Sequence, residues 1–199
     1  MFDDVFGQDV ADVAIAAGEG RLTQPTYGTD EGRIIGEKRT HQAAIDDQWS
    51  YPLLTDLMTR ISAIVRLPPE HAETSKLIRY EGEQLFDVHY DGYDEHGARR
   101  EDFNKGGQRL FTTLCYLNDI EDEGQTVFPN LKIAVRPKLG RVLVFTNNLL
   151  GSNEEHPDSA HVGFGPSDGL KWMLTVWWRE HHFHIPRSSP PADGEFVVC

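Results

Sequence analysis

His89 and Asp91, two residues apart at the end of the β-rich run 86–91, form the pair in this sequence best suited to metal chemistry. Side chains of a strand alternate between its faces, so an imidazole and a carboxylate with this spacing point to the same side. A second, distant histidine would complete a two-histidine, one-carboxylate set. Such a set holds non-haem iron(II) and leaves positions open for a co-substrate and dioxygen. A structural zinc site would call for four ligands instead, usually with cysteine among them. His156 and His161 are both candidates for the third ligand. His161 is preferred because it lies in the strand-like run Ser159-Ala160-His161-Val162, whereas His156 precedes Pro157 in a polar stretch where a solvated histidine is the ordinary expectation. His181, His182 and His184 also cluster, and read as a surface strand end or an adventitious metal site.

Lys171 opens the run Lys171 to Arg179, ten residues beyond His161. Alternation puts Lys171, Met173, Thr175, Trp177 and Arg179 on one face. An ammonium among apolar side chains either snorkels to water or binds an anion, because an unpaired buried charge is costly.

These residues need a frame. Residues 50–65 place Leu53, Leu54, Leu57, Met58, Ile61, Ile64 and Val65 on one helical stripe, with Ser50 as N-cap, Pro52 in the first turn and Pro68-Pro69 as the stop. A shorter helix is expected over 9–17, and a loop or irregular strand over 20–36. From Leu77 the pattern changes to eight short β-rich runs separated by turn residues. The expected fold is mainly β with helical cover: a jelly roll with N-terminal helices packed on one sheet. Its parts would be a helical support region (1–76), a β core (77–184) and a tail (185–199), all one domain of 199 residues. The polar segment 92–107 reads as a long loop.

Composition narrows the function classes. With 39% hydrophobic and 26% charged residues the chain belongs with ordinary folded proteins. A net charge of −13 disfavours nucleic acid and anionic lipid surfaces as partners. No apolar run approaches the ~20 residues that span a bilayer, and the first residues are acidic where a secretory signal would be basic. Cys115 in an apolar run and Cys199 at the end give no disulfide framework. A cytoplasmic location is the expectation.

The stretch from about Arg39 to Arg179 resembles the prolyl 4-hydroxylase branch of the 2-oxoglutarate- and iron(II)-dependent dioxygenases. The likeness is carried by residues 78–83 (Ile-Arg-Tyr-Glu-Gly-Glu), His89 and Asp91, residues 106–109 (Gly-Gly-Gln-Arg), 116–119 (Tyr-Leu-Asn-Asp), 124–129 (Gly-Gln-Thr-Val-Phe-Pro), 136–140 (Arg-Pro-Lys-Leu-Gly), and His161 followed by Lys171-Trp172. The resemblance implies a double-stranded β-helix in which His89, Asp91 and His161 hold iron(II). It implies that Lys171 pairs with the far carboxylate of 2-oxoglutarate, that Tyr80 assists through its hydroxyl, and that Tyr116, Thr175 and Trp177 line the same pocket. The reaction implied is hydroxylation of an unactivated C–H bond with dioxygen, giving succinate and carbon dioxide as co-products, with ascorbate as reductant. Asp91 favours hydroxylation over halogenation, since related halogenases lack the carboxylate so that chloride can bind. A prolyl residue of a peptide or protein is the substrate implied.

The chain departs from that pattern at two places. Glu123-Gly124 stands where a double glycine is common, and Phe86 stands where a substrate-lining tyrosine is common. Arg109 matches an arginine associated with peptide binding, and alternation puts Arg179 near the pocket mouth; a surface strand position is the other reading of both. With Phe86, a free amino acid or other small molecule becomes the alternative substrate. A non-catalytic metal-binding jelly-roll protein is a further alternative, against which Tyr80, Lys171, Thr175 and Trp177 argue, since a mere metal binder has no use for a diacid pocket.

Overall fold

The computed structural model describes residues 1–24, 40–93 and 100–183, together with a short hairpin at 27–29 and 32–34. In chain order these form helix α1 (Gln8–Gly18), strands β1 (Tyr27–Thr29), β2 (Gly32–Ile34) and β3 (His41–Ala44), and helix α2 (Pro52–Val65). Strands β4 (Lys76–Glu81) and β5 (Leu85–His89) follow, then the single helical turn α3 (Arg100–Phe103). The rest is β6 (Arg109–Tyr116), β7 (Thr126–Phe128), β8 (Ile133–Val135), β9 (Val142–Thr146), β10 (His161–Phe164) and β11 (Leu170–Arg179).

Two antiparallel sheets carry the site. The larger has the order β3-β4-β11-β6-β9 and the smaller β5-β10-β7-β8. Consecutive strands thus alternate between the sheets from β4 to β6 and from β8 to β11, the double-stranded β-helix expected of the β-rich runs. The period of two on β11 divides its residues between two cores. Leu174, Val176 and Trp178 join Leu77, Cys115 and Val142 against Leu54, Leu57, Met58 and Ile61 of α2 and Val10, Ala11 and Ala14 of α1. Met173 lies on the opposite face, between the sheets, with Ile78, Tyr80, Leu114, Tyr116, Phe128, Val135 and Leu143. Fully burying an apolar side chain of this kind stabilises the fold by about 1.5–3 kcal/mol, so both faces contribute.

Several expectations shift. The helix stripe of α2 is as read, but Ser50 is not its cap: it sits in a 3-10 turn at 48–50, and Tyr51 precedes Pro52 without a side-chain capping bond. The helix ends before the proline pair because Arg66 takes the left-handed conformation at φ 59°. Strand β3, inside the expected helical region, adds an edge to the larger sheet by pairing with β4. The hairpin β1–β2 lies within the segment expected as loop or irregular strand. The tail 185–199, His184 and the middle of the expected loop, 94–99, lie outside the described residues. Among the described residues no helix is long and apolar enough to cross a membrane.

Candidate active site

The end of β5 and the start of β10 bring two imidazoles together, because His161 is the register partner of His89. Their ring centroids are 4.2 Å apart. Asp91, two residues past His89, turns its carboxylate toward both: Oδ1 is 3.5 Å from His89 Nε2 and Oδ2 is 3.7 Å from His161 Nε2. The three potential ligand atoms lie within 4.8 Å of one another. Each ring is held from behind. His89 Nδ1 lies 2.7 Å from the Asp87 carbonyl, and His161 Nδ1 lies 2.9 Å from that of Ser159. A carbonyl only accepts, so in each neutral ring Nδ1 carries the proton and the Nε2 lone pair faces Asp91.

The electrostatics favour the ligating forms. Burial alone would raise the pKa of Asp91, but the charge that His161 and His89 carry when protonated, with the more distant Arg109, holds it well below the usual carboxylate range. Burial lowers the pKa of His161 against the pull of Asp91, which keeps that imidazole neutral. Thr112 Oγ1 donates to Asp91 Oδ2 at 2.7 Å and accepts from Asn147 Nδ2 at 3.1 Å. Phe128 and Phe145 pack their rings against His161, and Phe86 packs against His89 with centroids 4.2 Å apart.

The other end of the space between the sheets is cationic. Lys171 is fully buried, donates to the Phe164 carbonyl at 3.0 Å, and holds its ammonium 4.3 Å from the Tyr80 ring centroid and 6.0 Å from that of Tyr116. Among the described residues no carboxylate pairs with it, and burial pushes its pKa down to about 7. Tyr116 donates its hydroxyl to Thr126 Oγ1 at 2.8 Å. Thr175 Oγ1 and Trp177 Nε1, on the same face of β11, are buried without a hydrogen-bond partner. An unpaired ammonium and orphaned polar atoms along one wall are what a buried anionic ligand would satisfy.

Residues 75–179, more than half of the chain, match the family described as the 2OG-Fe(II) oxygenase superfamily. The chain belongs to that superfamily. The donor set fits the iron(II) of this family: two neutral imidazoles and one ionised carboxylate, each braced from outside. The buried ammonium and the orphaned Thr175 hydroxyl fit a dicarboxylate such as 2-oxoglutarate (2OG). A putative prolyl 4-hydroxylase of Acanthamoeba polyphaga mimivirus is 35% identical over 133 residues, covering 66% of this chain and 55% of the relative. This chain therefore spans about half the length of the curated relatives it matches. In fold it is similar to a viral collagen prolyl hydroxylase of Paramecium Bursaria Chlorella virus-1 solved as a 2OG complex, with a TM-score of 0.70, 22% identity, and coverage of 89% and 93% of the two chains. It is also similar to a Trichoplax adhaerens prolyl hydroxylase solved with a hypoxia inducible factor peptide fragment, with a TM-score of 0.63, 15% identity, and coverage of 89% and 81%.

Neither Arg179 nor Arg109 lies on a strand surface, and Arg179 is too deep for the pocket mouth that alternation suggests. Both are buried, at 0% and 4% exposure, and both turn their guanidiniums to Glu73. Trp177 lies beneath Arg109, 3.9 Å from guanidinium carbon to ring centroid, at the metal end of the strand and not beside Lys171. Glu123, in place of the first glycine of the expected pair, adopts φ 50° and Gly124 φ 71°, both in the left-handed region that glycine occupies freely. The sequence reading missed Glu73, Thr112 and Asn147. It also missed Gly163, where a Cβ atom would fall 2.5 Å from the Tyr80 hydroxyl.

Proposed function

We propose that this chain is a 2OG- and iron(II)-dependent dioxygenase that hydroxylates an unactivated C–H bond, that of a prolyl residue in a peptide or protein, with succinate and carbon dioxide as co-products. The observation that carries this reading is that one pair of sheets holds three metal donors at one end and a buried, unpaired ammonium at the other. His89, Asp91 and His161 would hold iron(II), which when bound supplies the means to activate dioxygen. Lys171 takes the far carboxylate of 2OG, and Tyr80 and Tyr116 supply the aromatic walls that exclude water from that pair. Thr175 offers its hydroxyl to the same ligand. Nδ1–H bonds fix the two imidazoles, and Thr112 fixes the carboxylate, so the donors are set before the metal arrives. Ascorbate serves as reductant in this reading, and the cytoplasm is its compartment, in keeping with the free buried thiol of Cys115.

The peptide substrate is supported by the names of the relatives and by the peptide bound to the Trichoplax enzyme. A free amino acid or other small molecule is a second reading, favoured by Phe86, which places a phenyl ring without a polar group against His89. The protein is incubated aerobically with iron(II), 2OG and ascorbate, plus either a proline-rich peptide or free amino acids. Mass spectrometry of the peptide should show a gain of one oxygen, matched by succinate. Oxygen added to the amino acids alone would select the second reading, and succinate formation with neither would reject both.

A further inference from the structure

Arg109 reaches toward a metal-ligand candidate as well as toward Glu73. Its Nε and one terminal nitrogen donate to the two Glu73 oxygens at 2.6 and 2.8 Å, and its other terminal nitrogen donates to the backbone carbonyl of Asp91 at 3.3 Å. Arg179 donates one terminal nitrogen to Glu73 Oε1 at 2.8 Å and the other to the carbonyls of Asp102 at 2.5 Å and Phe103 at 3.4 Å. Both guanidiniums lie against the Tyr93 ring, 4.5 and 4.6 Å from its centroid. The Gln108 side chain closes the group by accepting from the Tyr93 N–H at 2.7 Å and donating to its carbonyl at 2.8 Å.

The charges explain why so polar a group is buried. Burial would raise the pKa of Glu73, but the two arginines outweigh it and keep the carboxylate ionised. One carboxylate leaves two guanidiniums half compensated, and Asp91 is the second anion within electrostatic reach of Arg109. A bidentate fork has fixed geometry, so this network sets backbone position as well as charge.

We propose that Arg109 is a positioning residue: with Glu73 and Arg179 it forms a buried clamp that fixes the backbone of Asp91, and thereby the angle at which that carboxylate meets the metal. The clamp rests on the reading of His89, Asp91 and His161 as metal ligands. It differs from a substrate-contact role, since each of the three Arg109 nitrogens is engaged by the protein itself.

Cobalt(II) titration followed by visible absorption tests this on the full chain without turnover. The unaltered protein should bind one cobalt ion with the bands of a defined ligand set. Arg109→Gln, checked for folding by circular dichroism, should bind cobalt about 10–100-fold more weakly, the usual effect of removing a partner that orients a metal ligand, and its bands should shift. Arg109→Lys should recover part of that affinity. Glu73→Gln, which touches neither metal nor substrate, should weaken binding too, and it carries the test if Arg109→Gln does not fold. A folded Arg109→Gln or Glu73→Gln protein with wild-type affinity and spectrum overturns the clamp. Failure of the unaltered protein to bind cobalt overturns the metal centre, and the clamp with it.

Discussion

Lys171 and Tyr80 are register partners across β11 and β4, and the ammonium of one lies 4.3 Å from the ring centroid of the other. The aromatic face attracts the cation but does not replace the water it has lost, so the pKa falls from 10.5 to about 7. A bound carboxylate would restore the charged form. Binding of 2OG to the metal-loaded protein is therefore expected to take up close to one proton at pH 8–9 and none at pH 6. Calorimetry in two buffers of different ionisation enthalpy reads the difference directly.

The same shift affects stability. Between pH 7 and 10.5 the unfolded chain carries a proton on Lys171 that the folded chain does not, so stability rises with pH across that window and the deficit is complete below it. Lys171→Met should raise the melting temperature of the ligand-free protein below pH 7 while weakening 2OG binding at least tenfold and leaving cobalt affinity intact. A lower melting temperature for this variant at pH 6 would contradict the account.

His161 and His156 have different employments. His161 Nε2 faces Asp91, whereas His156 accepts the Asp158 N–H through Nδ1 at 3.1 Å and caps a 3-10 turn. His161→Ala should abolish one-to-one metal binding. His156→Ala should leave metal affinity nearly unchanged and cost about 0.5–2 kcal/mol of stability, the usual range for a lost cap. Equal losses of metal in both would mean the wrong histidine has been assigned.

Thr112→Val keeps the shape of the side chain but strips Asp91 Oδ2 of its donor and Asn147 Nδ2 of its acceptor. Denaturant unfolding should report a loss of about 1–3 kcal/mol. Metal affinity should fall as well, by about 10–100-fold. An unchanged metal affinity would show that the hydroxyl serves folding only.

Gly163 lies on β10 between β5 and β7, and its missing side chain makes room for the Tyr80 hydroxyl. Gly163→Ala must displace that ring, because backbone paired on both sides has little room to yield. The overpacking should cost about 1–3 kcal/mol. It should also weaken 2OG binding more than cobalt binding, and the reverse order would place Tyr80 outside the co-substrate pocket.

Much of this was readable because strands and amphipathic helices repeat. The stripe from Leu54 to Val65 and the alternation from Lys171 to Arg179 each fix which side chains share a face, and the structure keeps both. Strand alternation groups Asp91 with His89 although β5 ends at His89; the carboxylate reaches its place by the segment that follows. Glu73 was not legible: it sits between a 3-10 turn and β4, and its importance comes from arginines 36 and 106 residues away that only the folded register brings to it. Thr112 was hidden for a related reason, since a threonine in a β-rich run looks like any other strand former. The placement of Arg179 failed because alternation gives the face of a strand but not how deep it lies.

The division of β11 between two cores has a consequence for how the protein fails. Leu174, Val176 and Trp178 grip the helices while Lys171, Thr175 and Trp177, on alternate positions of the same backbone, face the other sheet. Loosening the helical cover releases a strand whose reverse side lines the proposed co-substrate pocket, so heat should erase ligand affinity and tertiary structure in a single step, with no warm, well-folded but idle form between them.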